Sequence, residues 1–199
     1  MTTIYMVRHA ESPYMDGSER TRGLSVEGKK KARQAADLLV NEGINLIVSS
    51  PYARAKLTVE GLAHKLNLDI IEIEDLRERH FADDDYKISE EEFVPAVNRM
   101  FEDPSYALPG GESNLVCQNR AVAALKTLLI EHNGSKIAIG THGNVMTLMI
   151  GYFDSSFGFD FLMQTDKPDV YKLEFEGLEL KAVTRLWQTL RFDDKDAVK

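Results

Sequence analysis

Disulfide bonds, membrane spans and an excess of positive charge are all absent from this sequence. The 199 residues include one cysteine, Cys117, so no disulfide can form within the chain, and a buried structural thiol is expected. No apolar run approaches the roughly 20 residues of a membrane-spanning helix, and the N-terminus lacks a secretory signal pattern. The formal net charge of −8 disfavours a nucleic-acid surface. We therefore expect a cytoplasmic protein without membrane or nucleic-acid partners.

The pattern of apolar residues predicts the fold class. Hydrophobic residues make up 43 % and charged residues 28 % of the chain, which is typical of a globular protein. The order strand, helix, strand, helix predicts parallel strands joined by right-handed crossovers. We predict a three-layer α/β/α fold with a mostly parallel central sheet. Residues 1–190 are expected to form a single domain, followed by a polar C-terminal tail at residues 191–199.

Individual elements are predicted from apolar runs, caps and turns. Buried strands are predicted at Ile4–Val7, Leu46–Val48, Asp69–Leu76 and Lys136–Gly140. Helices are predicted after the capping serines Ser25, Ser50 (with Pro51 as the first helical residue), Ser89 and Ser113, and at Val145–Tyr152. Residues 154–168 are typical of an aromatic loop. Alternation across residues 171–187, around a turn at Glu176-Gly177, predicts a hairpin that extends the sheet.

Cationic and imidazole side chains follow three of the predicted strands. Arg8 and His9 follow the first strand, Arg54 follows the second, and His142 and Gly143 follow the fourth. Because the carboxyl ends of parallel strands meet at one edge of a sheet, these side chains are expected to converge. Arginine matches phosphate oxygens, histidine can accept a phosphoryl group, and glycine lets the backbone approach a ligand. The arrangement favours a dianionic phosphate as the ligand.

A zinc site is the alternative for the two histidines, His9 and His142. The neighbouring arginines would repel a dication, and no further histidine, cysteine or aspartate has a suitable ligand spacing. We therefore expect a site that uses no metal and no cofactor.

Six short motifs occur in an order that is typical of one family. They are Arg8–Glu11, Leu24–Gly28, Ser50–Ala55, Leu76–Phe81, Gly110–Ser113 and Thr141–Gly143. Together they resemble the histidine phosphatase superfamily, in the branch that includes cofactor-dependent phosphoglycerate mutase. Each motif alone is weak, and all six in sequence are specific. The resemblance covers the chain from Ile4 to about Ile150.

The resemblance implies a role for each matching residue. His9 would be the nucleophile that becomes phosphohistidine, and Glu78 would protonate the leaving oxygen and later accept a proton from the attacking water. The implied phosphate ligands are Arg8, Arg54, His142 and the backbone N–H of Gly143. Such a site transfers a phosphoryl group by positioning and charge stabilisation.

Two positions depart from the family pattern. Ala10 replaces the usual glycine after the histidine, and Met15 stands where the family often has an asparagine. One hydrogen-bond donor to the phosphate is therefore missing from the pattern, and Ser12 or Thr21 is a candidate to replace it. The general acid also has alternatives. Glu78 can instead form a surface ion pair with a flanking arginine, Arg77 or Arg79, and the other candidate acids are Glu11 and Glu112.

Three functions are compatible with these residues. The first is a metal-independent phosphomonoesterase that acts on small phosphate esters, and a carboxylate-rich rim disfavours a strongly anionic leaving group. The second is a phosphoglycerate mutase, which the segment Glu78–Phe81 resembles, although mutases are generally longer. The third is a non-catalytic module that binds phosphate or a protein. The physiological substrate and the oligomeric state are left open.

Overall fold

The computed structural model describes residues 1–14, 17–83 and 85–187, without the side chain of Glu90. The strands are β1 (Thr2–Arg8), β2 (Leu46–Ser49), β3 (Ile70–Glu72), β4 (Lys136–Thr141), β5 (Asp169–Glu176) and β6 (Glu179–Arg185). The helices are α1 (Val26–Leu39), α2 (Ala53–Leu66), α3 (Glu90–Glu102), α4 (Asn114–Glu131), α5 (Gly143–Phe153) and α6 (Phe159–Met163). Met15 and the tail at 191–199 lie outside the described residues.

A six-stranded sheet with the order β3-β2-β4-β1-β5-β6 forms the centre of the molecule. Strands β1, β2, β3 and β4 are parallel to one another, whereas β5 runs antiparallel to β1 and forms a hairpin with β6. The mostly parallel sheet and the C-terminal hairpin that extends it are as predicted. The first strand is therefore central, with a neighbour on each side.

The alternation of side chains along β1 separates two apolar layers. Ile4 and Met6 pack with buried residues of α4 and α5 on one face of the sheet. Tyr5 and Val7 pack with residues of α1 and α2 on the other face. Burial of successive residues on opposite faces is the pattern of a strand covered on both sides. The three-layer α/β/α fold is thereby confirmed.

Local caps explain several helix starts. Ser25 accepts a hydrogen bond from the Gly28 amide, and Ser113 accepts one from the Val116 amide. Ser89 and Glu92 form the reciprocal capping box that the sequence predicts. Cys117 is buried, as expected. Within the described ranges, no helix is both long and apolar enough to cross a membrane.

The predicted start of the second helix was wrong. Helix α2 begins at Ala53 and its N-cap is Tyr52, which makes no side-chain cap. Ser50 does not cap it, because the amide that donates to its hydroxyl is that of Tyr52, which precedes the first helical residue. The same hydroxyl oxygen lies 2.7 Å from a ring nitrogen of His142. The first amide of the helix, that of Ala53, instead donates to the carbonyl oxygen of Arg20 in the preceding loop, at 2.9 Å.

Two further predictions of local structure need correction. The strand predicted at Asp69–Leu76 is shorter, because β3 ends at Glu72 and a single 3₁₀ turn follows at Glu74–Leu76. Its partner β2 ends at Ser49, so the ladder of hydrogen bonds ends there too. The loop predicted at 154–168 contains the five-residue helix α6. Its aromatic rings pack on the core, with Phe161 lying 5.0 Å from the ring of Tyr171.

Candidate active site

Backbone hydrogen bonds bring three strand ends together at one edge of the sheet. The His9 amide donates to the Thr141 carbonyl at 2.9 Å, and the Ser50 amide donates to the Gly140 carbonyl at 2.9 Å. The ends of β1, β2 and β4 are therefore fixed side by side. The rings of His9 and His142 lie 5.3 Å apart, edge to face. The convergence that the sequence predicts for these residues is present.

His9 is a buried and neutral imidazole. Its exposed fraction is 6 %. Burial lowers its pKa well below the usual value, and the charges of Arg54 and Arg8 lower it further. Nδ1 lies 2.7 Å from the Ala10 carbonyl oxygen, which can only accept, so Nδ1 donates its proton there. The lone pair on Nε2 is then available as a nucleophile.

His142 has two ring nitrogens in different surroundings. The side chain is fully buried at the N-cap position of α5. Nε2 lies 2.7 Å from the Ser50 hydroxyl oxygen, while Nδ1 is buried and has no hydrogen-bond partner in the described part of the chain. Burial, followed by the charges of His9 and Arg54, lowers the pKa of His142 well below its usual range.

Two guanidiniums, one partly buried on Arg8 and one fully buried on Arg54, supply positive charge beside the histidines. Arg8 donates from Nη1 to the carbonyl oxygen of Thr165 at 2.8 Å and also to the Thr165 hydroxyl. Arg54 is 1 % exposed and donates to the Glu19 carbonyl at 2.5 Å and to the Glu19 carboxylate at 3.1 Å. The Nε atoms of both arginines are buried without a partner among the described residues.

Buried polar atoms without a partner are concentrated at this edge. Of the six side-chain atoms of this kind among the described residues, five lie here and the sixth is Arg79 Nε. The five are Arg8 Nε, Arg54 Nε, His142 Nδ1, Thr141 Oγ1 and Asn144 Oδ1. Each such group costs about 1–3 kcal/mol when left unpaired. Three of the five are nitrogens around His9, which fits an oxyanion ligand.

The carboxylate of Glu78 lies at the N-terminus of α5. Its oxygens accept hydrogen bonds from the amides of Asn144 at 3.2 Å, Val145 at 3.1 Å and Arg79 at 2.9 Å. The positive end of the helix favours an acidic group at this place. Since His142 is the N-cap of the same helix, Glu78 is held beside the second histidine.

Comparison with known proteins agrees with this arrangement. The sequence model of the histidine phosphatase superfamily (branch 1) matches residues 4–187. The chain belongs to the histidine phosphatase superfamily. The uncharacterized phosphatase PhoE of Bacillus subtilis is 27 % identical over 148 residues, which cover 72 % of each protein. The probable phosphoglycerate mutase GpmB of Proteus mirabilis is 29 % identical over 157 residues, which cover 72 % of this chain and 70 % of that protein.

A solved structure gives the same picture of the fold. Phosphoserine phosphatase from Entamoeba histolytica, in complex with 3-phosphoglyceric acid, superposes with a TM-score of 0.76. The match covers 95 % of this chain and 98 % of that one, at 18 % identity. At that identity the likeness supports the histidine phosphatase fold and leaves the substrate open.

The alternative carboxylates, those of Glu11 and Glu112, have structural partners. Glu11 accepts a hydrogen bond from the Ser25 hydroxyl at 2.5 Å. Glu112 accepts two from Arg120, both at 2.7 Å. Burial alone would raise the pKa of Glu112, but the hydrogen bonds and charge of Arg120 lower it below the usual value. Both carboxylates thus have hydrogen-bond partners of their own.

The flanking arginines of Glu78 have other ion-pair or hydrogen-bond partners. Arg77 lies 3.5 Å from Asp75 and 3.9 Å from Glu112. Arg79 donates to the Glu112 carbonyl at 3.3 Å. None of these three contacts involves the carboxylate of Glu78.

Sequence reasoning missed Arg120, which anchors the segment that places Glu78. Arg120 donates to the carbonyl oxygens of Asp75 at 2.6 Å, Arg77 at 3.0 Å and Glu78 at 3.4 Å. The signal in the sequence was its position three residues after the buried Cys117, where α4 faces the core.

Sequence reasoning also missed Glu19 and Arg22. The Glu19 carboxylate bridges Arg54 and Arg22, at 3.1 and 3.0 Å. Arg22 is buried and donates to the Ser12 hydroxyl at 2.7 Å, and this hydroxyl in turn donates to the Gly23 carbonyl. Ser12 is therefore engaged within the loop. The hydroxyl of Thr21, the other candidate donor, accepts from the Ser18 amide in the same way.

Gly143 allows Arg8 to lie against the first turn of α5. A Cβ atom added at this glycine would lie 2.9 Å from three guanidinium atoms of Arg8, closer than side-chain atoms normally approach. The guanidinium of Arg8 therefore packs directly against the backbone of Gly143. A larger residue here would displace the guanidinium of Arg8.

Proposed function

We propose that this histidine phosphatase family member is a metal-independent phosphomonoesterase that acts through a phosphohistidine at His9. The supporting observation is the group of unpartnered buried donors from Arg8, Arg54 and His142 around a neutral imidazole. A dianionic phosphoryl group offers three oxygens to such donors. The name of the Bacillus relative, a phosphatase, supports the same class of reaction.

The first step forms a bond between His9 Nε2 and phosphorus and breaks the bond between phosphorus and the ester oxygen. The leaving oxygen takes a proton from Glu78, which must be protonated when the ester binds. Arg8 and Arg54 stabilise the charge on the transferred group, and the Gly143 amide is a further proposed donor.

The second step restores the enzyme. A water molecule attacks phosphorus, the bond from phosphorus to His9 breaks, and the Glu78 carboxylate takes a proton from the attacking water. Inorganic phosphate and free His9 are the products. Nδ1 of His9 donates to the Ala10 carbonyl in both steps. Nε2 is therefore both the nitrogen that attacks phosphorus in the first step and the nitrogen that leaves phosphorus in the second.

The substitution His9→Ala tests this proposal. We expect release of phosphate from an aryl phosphate to fall by at least about 1,000-fold while the circular dichroism spectrum is unchanged. Rapid acid-free quenching with labelled substrate is expected to trap an acid-labile phosphoenzyme in the wild type only. The control is His64→Ala, because His64 is exposed in the last turn of α2. Near-normal hydrolysis by His9→Ala would overturn the proposal and favour a non-catalytic binding module.

A chelator provides an independent check. The described residues contain no group of three or more histidine, cysteine, aspartate or glutamate side chains able to hold a metal ion. We expect activity to persist after prolonged treatment with EDTA. Loss of activity that returns on addition of a divalent ion would contradict the metal-independent mechanism.

A phosphoglycerate mutase is the second candidate function. Its supporting observation is the 29 % identity to a probable phosphoglycerate mutase. Mutase turnover, in an assay primed with bisphosphoglycerate, should be compared with phosphate release from a panel of phosphate esters. We expect phosphate release to be faster, with small monophosphate esters as substrates. Mutase turnover that far exceeds phosphate release would replace the first proposal by the second.

A further inference from the structure

The Ser50 hydroxyl is the contact that distinguishes the two nitrogens of His142. Ser50 is fully buried, and its Oγ lies 2.7 Å from His142 Nε2. The same oxygen accepts a hydrogen bond from the Tyr52 amide at 3.3 Å. Because the ring of His142 is neutral, it has a single proton, which resides on either Nε2 or Nδ1.

The hydrogen-bonding capacity of Ser50 decides between these two positions. A hydroxyl has one proton to donate, and His142 Nε2 is the only acceptor that this hydroxyl has among the described residues. If Nε2 were protonated, both the hydroxyl proton and the lone pair on Nδ1 would be buried without a partner, whereas a proton on Nδ1 leaves only that N–H unpartnered. Nε2 is therefore the acceptor, and the ring proton belongs on Nδ1.

We propose that Ser50 is a positioning residue that fixes His142 in the Nδ1–H tautomer and so makes this ring a neutral hydrogen-bond donor to the substrate phosphate. The Nδ1 atom is the buried, unpartnered nitrogen of the ring. The part that concerns phosphate rests on the proposed function, whereas the tautomer follows from the protein contacts alone.

The two histidines then have the same tautomer and opposite tasks. His9 donates from Nδ1 to a backbone carbonyl and has a free lone pair on Nε2. His142 accepts at Nε2 from a hydroxyl and has a free N–H at Nδ1. The group that binds one ring nitrogen determines the chemistry of the other. The contact with a carbonyl thus makes His9 a nucleophile, and the contact with a hydroxyl makes His142 a hydrogen-bond donor to phosphate.

Nitrogen NMR measures the tautomer directly. In ¹⁵N-labelled protein at pH 7.5, long-range ¹H–¹⁵N correlations are expected to identify Nδ1 as the protonated nitrogen of His142. In Ser50→Ala we expect the proton to move to Nε2, wholly or in part, because the donor to Nε2 is lost. Protonated Nε2 in the wild type, or an unchanged tautomer in folded Ser50→Ala, would overturn the proposal.

Ser49→Ala is the matched control. Ser49 is the adjacent residue and is equally buried, but its hydroxyl donates to the Ser50 carbonyl at 2.9 Å and contacts no histidine. We expect the His142 tautomer and the activity of this variant to match the wild type. A shift of the tautomer in Ser49→Ala as large as that in Ser50→Ala would indicate general loosening of the strand end, contrary to the proposal.

Inhibition by inorganic phosphate measures the consequence for binding. We expect the inhibition constant to rise about 10-fold or more in Ser50→Ala, in keeping with loss of a hydrogen bond to a charged group. An unchanged constant would contradict the role of His142 as donor. If the wild type hydrolyses no phosphate ester, the proposed function fails, and the NMR result still decides the tautomer.

Discussion

At the scale of single residues, the proposed mechanism requires a nucleophile that stays neutral among cations. His9 lies beside Arg54 and Arg8, whose charges lower its pKa in addition to burial. In the proposed mechanism, the cations that stabilise the transferred phosphoryl group also maintain the unprotonated Nε2 that attacks it. One arrangement of charge would then serve both phosphate binding and nucleophilic attack.

The role of Glu78 is tested by substrates with different leaving groups. For Glu78→Gln we expect kcat/KM to fall about 100-fold for an alkyl phosphate and much less for a nitrophenyl phosphate, because a poor leaving group needs a proton. Steady-state kinetics with both esters measures the difference. Glu11→Gln is the control, since Glu11 accepts from the Ser25 hydroxyl. Equal losses for the two esters in Glu78→Gln would contradict a general-acid role.

The contact between Gly143 and Arg8 predicts the effect of a single methyl group. In Gly143→Ala the new Cβ would lie 2.9 Å from the Arg8 guanidinium carbon, so the guanidinium must move. We expect the inhibition constant for inorganic phosphate to rise about tenfold, with the fold retained. Gly61→Ala is the control, because its Cβ would meet only Ala36 at 3.6 Å. Equal inhibition constants for inorganic phosphate in the two variants would show that phosphate binding does not depend on the position of the Arg8 guanidinium against Gly143.

At the scale of elements, a buried ion pair connects the segment with Glu78 to α4. The side chains of Arg120 and Glu112 are 11 % and 10 % exposed. Arg120 also donates to three carbonyl oxygens between Asp75 and Glu78. This segment follows the edge strand β3, and the Ile73 amide still donates to the Ser49 carbonyl of β2 at 2.9 Å. Its position is maintained by the contacts of Arg120 from α4 and by the amides of α5 that donate to the Glu78 carboxylate.

Removal of this ion pair should affect both stability and activity. For Arg120→Met we expect a loss of about 3 kcal/mol in the free energy of unfolding, measured in urea, because the largely buried Glu112 carboxylate loses both hydrogen bonds from Arg120. We also expect a lower kcat, since Glu78 loses its anchor. Lys126→Met is the control on the same helix, where the partly exposed Lys126 contacts Tyr152. A loss no larger than that of the control would show that the pair is not a structural anchor.

At the scale of the whole molecule, the two buried histidines make stability depend on pH. Their folded pKa values lie well below the usual value of 6.5, so the unfolded chain binds more protons as the pH falls through 6.5. Stability is therefore full above pH 6.5 and decreases below it, by up to about 1.4 kcal/mol per pH unit for each histidine. Acid should therefore favour unfolding, because these two histidines take up protons when the chain unfolds.

Urea unfolding between pH 5 and 7.5 measures this dependence. We expect His142→Asn to reduce the slope of unfolding free energy against pH, because one buried imidazole is removed. His64→Asn should leave the slope unchanged, since His64 is exposed. A wild-type stability that is constant from pH 7.5 to 5 would contradict the depressed pKa values.

The sequence by itself determined the order of elements and the chemistry at their ends. Apolar periodicity predicted the strands and helices, and the caps at Ser25, Ser89 and Ser113 are present as predicted. These features are local, because periodicity and capping depend on residues within a few positions of one another. The convergence of His9 and His142 also followed, since parallel strands share one edge.

Only the tertiary structure decided which partner each site residue has. Ser50, predicted as a helix cap, contacts His142, which is 92 positions away, and Glu19 binds Arg54 across 35 positions. The lengths of strands were also decided at this level, because β3 ends where its partner β2 ends. A hydroxyl or a carboxylate can satisfy many donors and acceptors equally well. Which one it meets depends on the packing of strands and helices that are distant in sequence.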